Sequence, residues 1–309
     1  MYDKKKIRNT FPIGCHHYEM SLKDDYCIDK WNGPDSKENF LDISKFMDKW
    51  GYAPNWKWRS NTINYYRSRN GLRLNFYIDE EYDFSGKQVV LGCSFVQGIG
   101  CGVDETISAW MTKLSGKTTL NFGNGGTGCD VVFYNAMWLA SLKNPPEKIF
   151  ILWPQIQRFS FFDTEYNIVS NKSSARDNSK VLDSFLYTEK RRFGKYYKSQ
   201  IMANPVVQAG NKSLWLDLIR TTWGSRVVEL DILDSSEYNK TYNDDAKNEI
   251  LNIEYRRTLP KEEILDGYCG RDIGRDTLER LFQNKGNTGG FCHWGSLYHR
   301  DIASWFLAQ

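Results

Sequence analysis

The sequence predicts a three-layer α/β/α domain built around a parallel sheet. Apolar strand patterns alternate with helix patterns between residues 87 and 153, in the order strand, helix, strand, helix, strand. At this spacing, consecutive strands run parallel and right-handed crossovers place the helices against the sheet. The chain has 309 residues, of which 40% are apolar, so it can bury a core of this kind.

Residues 1–86 lack this pattern and are predicted to form an aromatic-rich cap segment on the main domain. One short helix is expected over Asp42–Trp50. Four tryptophans lie in the segment and are expected to be exposed: Trp31, Trp50, Trp56 and Trp58. The main domain is predicted over residues 87–309.

Glycine-rich turns separate the elements of the main domain. Strands are predicted over Gln88–Leu91, Thr118–Phe122, Lys148–Trp153 and Ser225–Leu230. Helices are predicted from Asp104, as the N-cap, to about Leu114, and over Asp130–Leu142, Leu182–Ser199, Pro205–Trp223 and Leu297–Ala308. Polar insertions are predicted over residues 157–180, as a loop, and 232–290, with helical pieces near Asp244–Ile253 and Asp276–Gln283.

Charge and composition exclude several classes of function. The 41 basic and 38 acidic residues leave a net charge of +3, which is small for a protein that binds nucleic acid through phosphates. No run of apolar residues is long enough to span a membrane, and no signal peptide is seen, so a cytoplasmic protein is expected.

The cysteines and histidines do not indicate a metal site. Seven cysteines form no CxxC pair, which favours reduced thiols over a disulfide framework or a zinc site. Cys15, His16 and His17 lie together, but adjacent histidines point to different faces of either regular element. They are therefore interpreted as loop residues, and no cofactor is expected.

Candidate chemistry lies where the predicted strands end, because open parallel sheets bind ligands beyond the carboxyl ends of their strands. Ser94 directly follows the first strand, in GCSFVQG, where glycines allow a tight turn. A serine becomes a good nucleophile only beside a base. His293 precedes the last helix and can supply that base, whereas His299 falls within the helix and is interpreted as a structural or a helix-face residue.

These segments resemble the SGNH (GDSL-type) hydrolase family. GCSFVQG is similar to its nucleophile block, NFGNGG to its second block and HWGSLYHRDIA to its last block. The resemblance implies a flavodoxin-like sheet, with Ser94 as nucleophile, His293 as base, and Gly126 and Gln155 in the oxyanion hole. The GCSF and LWPQ segments look like a divergent branch found in phage and bacterial genomes.

The catalytic acid of that family has no counterpart at its usual place, three residues before the histidine, where this chain has Gly290. Asp272 and Asp276 are the nearest acidic candidates, and a chain that has lost the acid is the competing interpretation. Asp272 is also open to a simpler interpretation, as a solvated charge paired with Arg271 or Arg275.

The function expected from this resemblance is ester hydrolysis through an acyl-serine intermediate. The expected partner is a small-molecule or carbohydrate ester, and an acetylated carbohydrate is the first candidate substrate. The alternative is an inactive SGNH scaffold that serves as a carbohydrate-binding or structural module. Acyl transfer to a sugar is a third possibility. The segment GNGGTG fits GxGxxG, but the acidic residue that a dinucleotide site needs about 20 residues later is absent.

Overall fold

The structure of this chain is a computed structural model that describes residues 26–155, 159–162, 168–172, 205–231, 259–283 and 293–309. Within these ranges the protein is a mixed α/β structure with a four-stranded parallel sheet. The predicted helices at Leu182–Ser199 and Asp244–Ile253 lie outside the described residues, and so do Cys15, His16 and His17.

The parallel sheet contains the strands β3 (Gln88–Gly92), β4 (Thr119–Gly123), β5 (Lys148–Leu152) and β8 (Val227–Leu230), in the spatial order β4-β3-β5-β8. All three pairings are parallel. The chain moves outward from β3 on one side and then continues on the other side from β5. Open parallel sheets bind ligands beyond the carboxyl ends of the strands at such a reversal, which here lies between β3 and β5.

Each face of the sheet packs against a different pair of helices, because neighbouring side chains along a strand point to opposite faces. Val89 and Leu91 join a cluster with α4 (Cys129–Ser141) and α5 (Pro205–Trp223). Val90 joins the opposite cluster, which is completed by α3 (Ile107–Ser115) and α8 (Ser296–Ala308). The central strands are buried on both faces as a result.

The N-terminal part contains β1 (Tyr26–Asp29), which pairs antiparallel with β2 (Tyr65–Ser68), and α1 (Lys37–Trp50). Ser36 caps α1 by accepting a hydrogen bond from the Asn39 N–H. A third cluster of buried side chains joins this part to α6 (Lys261–Tyr268) and α7 (Arg275–Gln283). A segment predicted as a polar insertion thus shares a core with the N-terminal segment.

Several predicted boundaries differ from those of the structure. Asp104 lies in a 3-10 turn, and Thr106 caps α3 instead, because its hydroxyl accepts from the Ala109 N–H. The pair β1–β2 and helix α6 were not predicted. The antiparallel pair β6 (Phe159–Phe162) and β7 (Ile168–Lys172) occupies part of the region predicted as a loop. None of the helices in the described ranges is both long and apolar enough to cross a lipid bilayer.

Candidate active site

Ser94 lies at the carboxyl end of the first parallel strand, as the sequence predicts. Cys93 follows β3, and Ser94 is the first residue of a short helix, α2 (Ser94–Gln97). The Ser94 carbonyl accepts hydrogen bonds from the backbone N–H groups of Gly98 and Ile99, which close the turn behind it. Ser94 is 5% exposed, so the residue is almost fully buried at this edge of the sheet.

The end of β4 supports this turn from the side. A Cβ atom placed on Gly123 would lie 2.1 Å from the Gln97 backbone nitrogen, so only glycine permits this close approach. The Asn121 side chain donates to the carbonyl of Val96 at 3.0 Å and accepts from the Gly123 N–H at 2.9 Å. The predicted second block therefore has a structural function, in which it holds the helix that begins at Ser94.

His293 and Asp272 form a buried hydrogen-bonded pair. The His293 Nδ1 lies 2.6 Å from Asp272 Oδ2, and the two side chains are 3% and 0% exposed. The backbone N–H of His293 also donates to the Asp272 carboxylate, at 3.2 Å from Oδ1. The His293 ring packs against the ring of Phe95, the residue after Ser94, at a centroid distance of 4.9 Å. The structure thus brings the predicted base and acid together next to the Ser94 turn.

A short antiparallel contact between two segments places the acid opposite the base. Cys269 and Trp294 form an isolated bridge, and the Gly270 N–H donates to the His293 carbonyl at 2.8 Å. The Gly295 N–H donates to the Tyr268 carbonyl at 3.0 Å. This contact aligns the segment before Asp272 with the segment that begins at His293, although 21 residues separate the two.

The simpler interpretation of Asp272, as a solvated charge paired with a neighbouring arginine, is wrong. Asp272 is buried, and the two arginines pair with carboxylates elsewhere, Arg271 with Asp35 and Arg275 with Asp42. Asp276 lies exposed in the first turn of α7. Of the two acidic candidates, Asp272 is therefore the one that reaches His293.

The two residues expected in the oxyanion hole lie at the ends of neighbouring strands. Gly126 follows β4 and has a positive φ of 78°, a conformation that favours glycine. Gln155 follows β5, where Trp153 and Pro154 are buried and Gln155 itself is half-buried. Both residues are on the side of the sheet edge where Ser94 lies, and their oxyanion role remains a prediction.

A network of buried hydrogen bonds near the histidine has no counterpart in any sequence motif. Asp35 is buried and accepts hydrogen bonds from Arg271 and from the hydroxyl of Tyr65. Arg73, on the loop after β2, donates to the carbonyls of Gln97 and Cys101 at 3.0 and 2.7 Å. These residues lie far apart in sequence and match no motif, so only their contacts identify them.

His299 is structural, as expected. It is fully buried on α8, and its Nδ1 lies 3.0 Å from the Glu105 carbonyl. Burial, together with the nearby charge of Arg73, lowers the pKa of His299 to about 4. Burial raises the pKa of the Cys101 and Cys129 thiols well above its ordinary value, so both stay protonated at neutral pH.

The expected exposure of the N-terminal tryptophans is largely wrong. Trp56 and Trp58 are 2% and 5% exposed and belong to the third cluster, whereas Trp50 is 51% exposed. Trp31 is half-buried beneath the Arg271 guanidinium, which lies 4.2 Å from the ring centroid. These aromatic rings mainly build a core, and they offer little surface on which a sugar could stack.

The similarity of this chain to known proteins is distant. No protein-family model matches the chain, and no curated protein matches it. Among solved structures, the chain is similar to a Bacteroides ovatus protein described as a GDSL-like lipase, with 16% sequence identity and a TM-score of 0.25. The similar region covers 51% of this chain and 46% of that chain. The interpretation of the site therefore depends on the residues of this chain.

Proposed function

We propose that this protein is an ester hydrolase of the SGNH type that works through an acyl-serine intermediate. The observation that carries the proposal is the buried hydrogen bond between Asp272 and His293, whose ring packs beside the turn that begins at Ser94. The proposal includes the three-layer α/β/α architecture, which is supported by the helices on both faces of the parallel sheet.

In the proposed acylation step, the Ser94 hydroxyl attacks the ester carbonyl carbon while His293 Nε2 takes the hydroxyl proton. Asp272 accepts from Nδ1–H, which fixes the tautomer that leaves Nε2 able to act as a base, and stabilises the imidazolium that forms. The N–H groups of Ser94 and Gly126, with the Gln155 side chain, stabilise the oxyanion. The tetrahedral intermediate then collapses, and His293 returns the proton to the leaving alcohol.

Deacylation repeats these steps with water in place of serine. His293 takes a proton from water, the resulting hydroxide adds to the acyl carbon, and collapse releases the carboxylic acid and restores the Ser94 hydroxyl. We propose short acyl esters, acetylated carbohydrates included, as the first substrates to test. The carbohydrate part of this proposal rests on the resemblance alone, because the N-terminal tryptophans are mostly buried.

An inactive SGNH scaffold that binds carbohydrate or has a structural role is the alternative proposal. Cys93 and Val96 favour it, because they stand where the SGNH nucleophile block has a polar Asp and Thr, and both are buried and apolar in this chain. The main argument for it was the missing acid three residues before His293. The hydrogen bond between His293 and Asp272 weakens that argument, because a carboxylate from another segment supports the histidine.

Covalent labelling with a fluorophosphonate tests the proposal directly. An activated Ser94 should be labelled and should hydrolyse p-nitrophenyl acetate, and Ser94→Ala should abolish both. Ser108 is equally buried, at 5% exposed, and lies on α3, so Ser108→Ala is the matched control and should retain both. A folded wild-type protein that takes no label at any pH between about 6 and 9 would contradict the proposal.

A further inference from the structure

Asp35 is one of four residues that are joined in a closed ring of hydrogen bonds. Its carboxylate is 1% exposed and accepts two parallel hydrogen bonds from Arg271, at 2.8 Å each from Nε and Nη2. It also accepts a hydrogen bond from the Tyr65 hydroxyl. The same hydroxyl accepts from the Gly100 N–H at 2.8 Å, and the Gly100 carbonyl accepts from the Arg271 N–H at 2.8 Å.

This ring holds the backbone against which the candidate acid rests. Gly100 has a φ of 80°, and a Cβ atom placed on it would lie 2.7 Å from Asp272 Oδ1. The same Cβ would lie 2.9 Å from both the Arg271 nitrogen and the Gly270 Cα atom. The Gly100 backbone therefore packs directly on the carboxylate of Asp272, and a shift of either loop would move that carboxylate relative to His293.

The position of Arg271 is also fixed from its outer side. Its Nη2 donates to the Lys30 carbonyl at 2.6 Å, and its guanidinium lies 4.2 Å from the Trp31 ring centroid. The bidentate ion pair of Arg271 and Asp35 therefore joins the N-terminal segment to the residue directly before Asp272. A bidentate arginine–carboxylate pair fixes orientation as well as distance.

We propose that Asp35 is a positioning residue, which acts through Arg271 and Tyr65 to hold Asp272 at hydrogen-bonding distance from His293. The part of this inference that concerns rate rests on the proposed function. The part that concerns the hydrogen bond between Asp272 and His293 does not, because that bond can be observed without turnover. The N-terminal segment would thus be needed for the geometry of the site although it contributes none of the reacting groups.

Proton NMR of the full-length protein tests the positional part. A histidine Nδ1–H that donates to a buried carboxylate gives a resonance far downfield, which His293→Gln should remove and thereby assign. In Asp35→Asn, the Arg271 guanidinium loses its charged acceptor and no longer holds Asp272 in place. The resonance should therefore move upfield or broaden. A wild-type protein without the resonance would overturn the proposal.

Two further variants make the result specific. Asp42 and Arg275 form the same kind of pair between α1 and α7, but both are about half exposed, so Asp42→Asn is the matched control and should leave the resonance unchanged. Tyr65→Phe removes only the hydroxyl that joins Asp35 to Gly100, and it should also shift the resonance. This variant therefore tests the proposal even if Asp35→Asn fails to fold. A folded Tyr65→Phe protein with the wild-type resonance would overturn the proposal.

Kinetics separate positioning from a general loss of stability. Asp35→Asn should lower kcat roughly 10- to 100-fold at an unchanged KM, as expected for a small misplacement of a catalytic group. In an Asp272→Asn background the same change should lower kcat no further, because the pair it positions is already broken. Additive losses would overturn the proposal. If the resonance responds but the wild-type protein is neither labelled nor active, the proposed function fails and the positional role stands.

Discussion

The Asp272 carboxylate contacts His293 twice, through the ring Nδ1 at 2.6 Å and through the backbone N–H at 3.2 Å. The ring contact selects the tautomer, and the backbone contact holds the loop from which the ring projects. Because both groups are buried, water does not compete for these hydrogen bonds. The proposed mechanism needs this hydrogen bond between its histidine and its acid.

Asp272→Asn should reduce the hydrolysis of p-nitrophenyl acetate by up to about four orders of magnitude, because an asparagine amide favours the wrong tautomer of the histidine. Asp276→Asn, on the exposed first turn of α7, is the control and should retain the wild-type rate. Circular dichroism of both variants would establish that they are folded. Near-wild-type activity in Asp272→Asn would assign the acid to another residue.

Gly123→Ala should destabilise the protein by about 3 kcal/mol, because the new Cβ would lie 2.1 Å from the Gln97 nitrogen, which cannot move without disturbing α2. Gly210 lies within α5, and a Cβ atom added there would enter open space, so this substitution meets no steric conflict. Gly210→Ala should stabilise the protein by up to about 1 kcal/mol through helix propensity. Urea denaturation measures both, and equal effects would contradict the steric argument.

Lys212 and Asp231 form an ion pair whose side chains are only 8% and 7% exposed, next to the Trp153 ring at the end of β5. Asp231→Asn should lower the free energy of unfolding by about 3–5 kcal/mol, since it leaves a buried ammonium group without its carboxylate. The exposed pair of Lys117 and Glu147 is the control, and Glu147→Gln should cost at most about 1 kcal/mol. Similar losses in the two variants would show that burial is not the cause.

His299 should make the folded state less stable as the pH falls. Burial lowers its pKa from 6.5 to about 4, so between these values the unfolded chain binds a proton that the folded protein does not. The free energy of unfolding should therefore fall by about 3 kcal/mol from this residue alone between pH 6.5 and pH 4, and the contribution is fully present above pH 6.5.

His299→Asn tests this prediction, because asparagine keeps a donor for the Glu105 carbonyl and does not titrate in this range. Denaturation midpoints at several pH values should fall less steeply in the variant than in the wild-type protein. Equal slopes would mean that another group causes the loss of stability in acid.

Local patterns in the sequence were sufficient for the parallel sheet and for the position of Ser94. The strands Gln88–Gly92 and Lys148–Leu152 are continuous apolar runs because helices cover both of their faces, and such runs are recognisable without a structure. The turn at Ser94 is equally local, since glycines on either side permit it. The structure moves the ends of the predicted strands by one or two residues in either direction and leaves their order unchanged.

Contacts between distant segments decided the rest of the site. Asp272 meets His293 because residues 268–270 pair with residues 293–295, and an isolated bridge of this kind has no periodicity that a sequence could display. Asp35 and Arg271 are 236 residues apart and belong to no motif. The expected exposure of Trp56 and Trp58 is wrong for the same reason: aromatic residues serve cores and surfaces alike, and it is tertiary packing in the third cluster that buries these two.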